Sequence, residues 1–296
     1  MIYPVKINMR LKFLQINLVS RIILICFLPF LIPLKSIAQD LYNLENSRKY
    51  AEYLFSSHQH SLAAEEYERL IYFDEDNAGF RLNLIKSYRL SGDLNSGINR
   101  IYSLYGDSLF QMPENLAKEF MTMELLTDSL SQVLDFLNRT RTISGSSRAV
   151  FQSYSLLLAG DYEKSGLFIR NAISDDTPIP LNILMISEKA ERMKFKSPFI
   201  AAGLSAVVPG SGKFYTKNWT DGLISLMFVA TNAWQAYRGF NADGVNSAYG
   251  WIFTGLSSSF YIGNIFGSVK AAKRYNKNKK NEIDNQIYEI IRSDTD

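Results

Sequence analysis

Tyr88-Arg89-Leu90-Ser91-Gly92-Asp93-Leu94-Asn95-Ser96-Gly97-Ile98-Asn99-Arg100-Ile101 decides the fold of this 296-residue chain. The Gly-Asp pair reads as a turn between two helices, and Gly97 leaves room for them to touch. The pattern recurs. Thirty-four residues earlier, Ala51, Leu54, His58, Ala63, Tyr67 and Leu70 stand where Ile85, Tyr88, Gly92, Gly97, Ile101 and Leu104 stand here. Sixty-eight residues later the places are held by Ser153, Leu156, Gly160, Ser165, Ile169 and Ala172. A period of 34 belongs to stacked helical hairpins, because one hairpin cannot bury its apolar face alone.

Between these copies, Gln111 to Ile143 departs from the pattern. Glu119, Thr122 and Asp135 fall where apolar residues belong, whereas Phe120, Met123 and Phe136 fit after a one-residue shift. The stretch reads as a degenerate repeat with an altered turn. With Gly92-Asp93-Leu94 and Gly160-Asp161-Tyr162 at the turns, and Ala63 and Tyr67 on a second helix, residues 39–194 resemble the tetratricopeptide family. The resemblance implies a superhelix whose inner wall takes a protein or peptide partner. By analogy, Arg48, Glu52, Lys86 and Arg89 would line it, as exposed charges that contribute little to folding.

The start of the chain reads differently. Lys6, Arg10, Lys12 and Arg21 precede an apolar run, Ile22 to Leu34, and then Ser36-Ile37-Ala38. This order marks residues 1–38 as a secretory signal peptide, with an uncleaved anchor as the alternative and Met9 as a second possible start. Cys26 is the sole cysteine and lies inside that run, so a chain cut after Ala38 has no thiol for disulfides or metal. The leader holds five of the 32 Lys and Arg, leaving 27 bases against 29 acids. Nothing then favours a nucleic-acid partner.

From Pro198 to Ala272 charge nearly vanishes. Asp221 to Tyr237 and Ala248 to Val269 read as two membrane spans joined by a polar loop, Arg238 to Ser247, with Trp219, Trp234 and Tyr237 as interfacial aromatics. Gly263 and Gly267 form a small-xxx-small pair suited to helix contact. Ahead of them Phe199 to Val208 is apolar but short, and Pro209, Gly210, Gly212, Lys213, Tyr215, Trp219 and Gly222 form a motif. Residues 198–272 resemble a small bacterial membrane domain marked by Pro-Gly-x-Gly-x-x-Tyr, a resemblance that implies topology and no chemistry. Residues 273–296 read as a basic and polar tail. The expected fold is all-α: a helical-hairpin superhelix, then a transmembrane hairpin preceded by a short broken helix.

The expected topology holds a conflict. A basic tail belongs in the cytoplasm, and a cleaved signal puts the repeats outside it. Three crossings reconcile the two if Phe199 to Tyr215 crosses as a broken helix. Alternatively that segment is re-entrant, and both basic flanks lie on the side of the repeats.

No reaction is legible. Gly210-Ser211-Gly212-Lys213 suggests a phosphate loop, but Val207 and Phe214 occupy the places of its first Gly and its Ser or Thr. His58 and His60 have no third ligand at a useful spacing. Glu65, Glu66 and Glu68 read as the wet face of a helix. These features point away from an enzyme, a nucleotide, a cofactor or a metal. The expectation is a scaffold of the cell envelope, seated among inner-membrane lipids with its repeats in the periplasm. The alternative is an accessory subunit for envelope transport or membrane-protein insertion.

Overall fold

The computed structural model describes residues 43–175 and 177–293. The expected signal peptide, with Cys26 and the expected cleavage site at Ala38, lies outside the described residues. Within them all regular structure is helical, with thirteen α-helices and two short 3-10 turns. Four hairpins come first: α1 (Leu44–Ser56) with α2 (His60–Phe73), α3 (Ala78–Ser91) with α4 (Leu94–Tyr105), α5 (Glu114–Leu126) with α6 (Leu130–Arg139), and α7 (Gly145–Ala159) with α8 (Tyr162–Ser174). Then come α9 (Leu181–Glu191), α10 (Pro198–Val207), α11 (Ser211–Tyr215), α12 (Trp219–Asp243) and α13 (Ala248–Ser293).

Each hairpin turns on one left-handed residue: His58 (φ 59°), Gly92 (φ 83°), Asp128 (φ 61°) and Gly160 (φ 81°). Glycine adopts this conformation without steric cost, and a polar residue can substitute at a tight turn. Side chains then restart the helices. Asn77 accepts from the amides of Gly79 and Phe80, and Asp93 from that of Ser96. The turns stand at 58, 92, 128 and 160, so the intervals are 34, 36 and 32. A 3-10 segment, Gly106–Gln111, delays the third hairpin by two residues, and the fourth returns to register.

Stacking buries two apolar clusters. Ala51, Leu54, Ala63, Tyr67 and Leu70 anchor the smaller one. The larger runs from Ile85 and Ile101 through Phe120, Met123 and Phe136 to Leu157 and Ile169. Besides consecutive helices, α3 touches α5, α5 touches α7 and α7 touches α9, so the first helices from α3 to α9 form one continuous wall. Glu119 and Thr122 are buried in this stack, while Asp135 stays in water beside Arg139.

The second half corrects several expectations. No described helix is long and apolar enough to cross a membrane. A helical hairpin does form, but α12 runs on to Asp243, so the connecting loop is only Gly244 to Ser247. A Cβ at Gly263 would meet nothing within 4 Å, so the small-xxx-small pair is not the contact. The close approach is at Gly239 and Gly250, where an added Cβ on Gly239 would lie 2.7 Å from the Gly250 nitrogen. Residues 273–293 are not a loose tail. They complete the 46-residue α13, a rod of about 69 Å at 1.5 Å per residue.

The segment before α12 doubles back. α10 ends at Val207, the chain reverses at Pro209-Gly210, and α11 brings it back. The Ser197 amide donates to the Tyr215 hydroxyl at 3.3 Å, so the start of α10 and the end of α11 are neighbours. The expected broken helix thus folds back on itself and does not extend in one direction from Phe199 to Tyr215.

Candidate interaction surfaces

The four expected groove residues have separate fates. Arg48 is tied to Glu45 and Glu52 on its own helix, at 3.0 and 2.8 Å, in a solvent-facing network. Lys86 is half-buried on α3. Arg89 is inside the protein, 7% exposed, with its Nε donating to Glu119 Oε2 at 2.6 Å. That ion pair bolts α3 to α5 and explains why an acid stands at an apolar position of the third hairpin. The four do not form one charged wall.

The wall of first helices has an occupant instead. Beyond Tyr275, α13 lies against α7 and α9. Ile283, Ile287 and Ile291 join the larger apolar cluster, none more than 2% exposed. Lys280 donates to the Leu158 carbonyl at 2.7 Å, at the end of α7, where helix carbonyls lack intrahelical donors. Lys189 on α9 pairs with Glu282 at 2.8 Å. With Lys279 also bound, these contacts hold the Glu282 carboxyl down to about 2. The spacing of the three isoleucines was legible in the sequence, but the basic run from Lys273 to Lys280 concealed it.

A cleft of about 520 Å³ remains where the end of this helix meets α5, α7 and Pro178 to Pro180. Lys118, Thr122, Ser147, Phe151 and Tyr154 line it with Ile291. On its rim Glu114 accepts from the hydroxyls of Ser144 and Ser147, both at 2.6 Å, which lowers its carboxyl to about 2.

The Pro-Gly-x-Gly-x-x-Tyr motif folds into a joint between α10, α12 and α13. Gly210 takes φ 90°, and its amide donates to Asn264 Oδ1 at 3.1 Å. The Gly212 amide donates to Ser205 Oγ, which bonds Ser268 Oγ at 2.6 Å. A Cβ on Gly212 would overlap the Ala201 carbonyl, and one on Gly210 would overlap that of Gly222. Lys213 reaches across Gly267 to Ser225 Oγ at 2.6 Å, and Trp219 stacks on Phe214. Lys196 lies over the Tyr215 ring at 4.3 Å. The amides of Gly210 and Gly212 are thus both engaged with side chains.

Around this joint the unit is built inside out. Its helix contacts bury Ser205, Gly222, Gly239, Gly250, Asn264 and Ser268. Its large side chains face outward, among them Phe199, Val207, Met227, Phe228, Ile252, Ile262 and Phe266. Among the described residues, none from 198 to 272 belongs to either apolar cluster. A soluble monomer rarely exposes an apolar surface of this extent. Aromatic residues close the belt at both ends: Phe214 and Trp219 at one, Trp234, Tyr237 and Trp251 at the other. Lys217, Lys270, Lys273 and Arg274 stand exposed on the side nearer the repeats, where Arg274 approaches Asp221 at 3.7 Å.

His58 and His60 face each other edge to face at 5.6 Å, with His60 also against Phe55. Among the described residues no three His, Cys, Asp or Glu side chains gather as metal ligands do. Comparison with protein-family models, curated proteins and solved structures finds no match for this chain.

Proposed function

We propose that the chain is a membrane-seated scaffold of the bacterial cell envelope. In this reading the apolar unit sits among lipids and tetratricopeptide-like hairpins hold a protein partner. The observation that carries it is the exposed apolar belt with an aromatic girdle at each end. Hydropathy averaged along a helix counts both of its faces. On α13, Ser257, Asn264 and Ser268 lower the average, yet Ser257 donates to the Val229 carbonyl of α12, Asn264 accepts from Gly210, and Ser268 meets Ser205. Polar residues turned toward neighbouring helices are how helices join in lipid. From Trp219 to Tyr237, between its aromatic ends, α12 is about 28 Å long, close to the thickness of a bilayer's hydrocarbon.

The test is flotation. Full-length protein, freed of detergent in the presence of phosphatidylglycerol and phosphatidylethanolamine vesicles, is expected to float with them and to resist alkaline extraction. A chain that stays monomeric in solution when its detergent is removed would refute the lipid seat.

Both ends of the apolar unit lead back to the repeats. A bilayer seat therefore puts the repeats and the end of α13 on one side and the Gly244–Ser247 turn on the other. In a Cys26→Ser background with the repeats in the periplasm, Asn278→Cys is expected to react with an impermeant maleimide in intact spheroplasts, and Asn246→Cys to be protected. Reaction at 246 alone would overturn the periplasmic placement.

A further inference from the structure

The last turns of α13 lie on the repeat wall as a bound peptide helix would. The four hairpins and α9 are joined to one another by their own contacts: α3 with α5, α5 with α7, α7 with α8, and α8 with α9. None of those joints runs through α13. Against this closed array, α13 offers a narrow stripe of Ile283, Ile287 and Ile291, one residue per turn. Its polar contacts are of the kind that set direction and register. Lys280 caps α7 at Leu158, and Glu282 reaches Lys189 of α9. The helix runs antiparallel to α7, with Lys280 beside Leu158 and Ile291 beside Val150 and Ser147 in the cleft. An amphipathic helix laid into a groove by residues at i, i+4 and i+8 is a general mode of peptide recognition.

We infer that the part of the wall formed by α7 and α9 is a helix-binding groove and that residues 276–293 are its resident ligand. The partner class follows from what the groove already holds. It is an amphipathic helix with branched aliphatic residues at i, i+4 and i+8, a lysine or arginine three positions before the first, and an acid one position before it. Such a partner binds by replacing the chain's own helix. The resident is tethered, so its effective concentration is of millimolar order or more, and an external helix must compete against that. The unperturbed chain is therefore closed to weak helices and open to those that match the resident.

This inference rests on the partner-holding half of the proposed function and is independent of the lipid seat. The probe is a fluorescein-labelled synthetic peptide of residues 276–293, added to the full chain in detergent micelles and read by anisotropy. The doubly substituted chain Ile283→Asp/Ile287→Asp is expected to bind it at least tenfold more tightly than the unsubstituted chain does. A peptide carrying the same two substitutions is expected not to bind. Failure of the substituted chain to bind, with its helicity intact, would overturn the inference while leaving flotation unaffected. If the doubly substituted chain unfolds, Ile287→Ala decides, since it loosens the resident helix without placing a charge in the groove. Peptide capture by Ile287→Ala supports exchange, and its absence shows the helix to be a fixed layer of the repeats.

Discussion

Glu119→Ala is expected to destabilise the repeat half by about 3–5 kcal/mol, the largest loss of any single substitution on a polar side chain there. The reason is what remains. Without the carboxylate, the buried Arg89 guanidinium loses the Glu119 ion pair that joins α3 to α5. Replacing both members, as Arg89→Met/Glu119→Leu, is expected to recover most of the loss, because an apolar pair of similar volume needs no compensation for desolvation. The measurement is the denaturant midpoint of the repeat half, with hydrogen exchange followed in α3 and α5. A loss below about 1 kcal/mol for Glu119→Ala would show the pair to be as dispensable as a surface ion pair.

Charge reversal at Arg89 is thus a folding experiment and not a binding one. Nothing local to Arg89 warns of this, because the acid it meets lies 30 residues away on another hairpin. Period and composition do reveal which residues share a face. They do not reveal which charge on that face has an opposite charge waiting across the joint.

The second large effect lies at the motif. Gly212→Ala is expected to cost about 3 kcal/mol or more, since overpacking against fixed backbone leaves no side chain to yield. The added methyl would overlap the Ala201 carbonyl of α10 and crowd Ser205 Oγ, the acceptor for the Gly212 amide. Gly263→Ala is the control, because a Cβ there meets open space. In detergent, Gly212→Ala should lower the thermal midpoint and open the α10–α11 reversal to protease, and Gly263→Ala should do neither. Equal behaviour of the two variants would mean that the motif's glycines do not hold this joint.

What was legible follows from where the physics is local. Gly92 and Gly160 announced their turns because glycine is the usual solution to a left-handed residue. His58 and Asp128 fill the same role without that signature, so the third hairpin's two-residue offset stayed hidden. The apolar half was recognised as helical from its runs of large residues. Its inversion was not, since a list of residues does not say that Asn264 and Ser268 face inward while Phe266 faces out. The charged wall expected at Arg48, Glu52, Lys86 and Arg89 rests on analogy alone, and those residues lie on α1 and α3, whereas the helix that does cover first helices lies against α7 and α9.

That helix also sets an order in time. Chains fold from the N-terminus as they are made, so α1 to α9 emerge and stack first. Residues 198–272 follow, and Ile283, Ile287 and Ile291 leave the ribosome after them. Until then the faces of α7 and α9 that receive these isoleucines are uncovered. The array can be sealed only after the apolar unit has been synthesised, and a chain stalled or truncated before Lys280 would present an open groove to whatever chaperone or partner stands nearby.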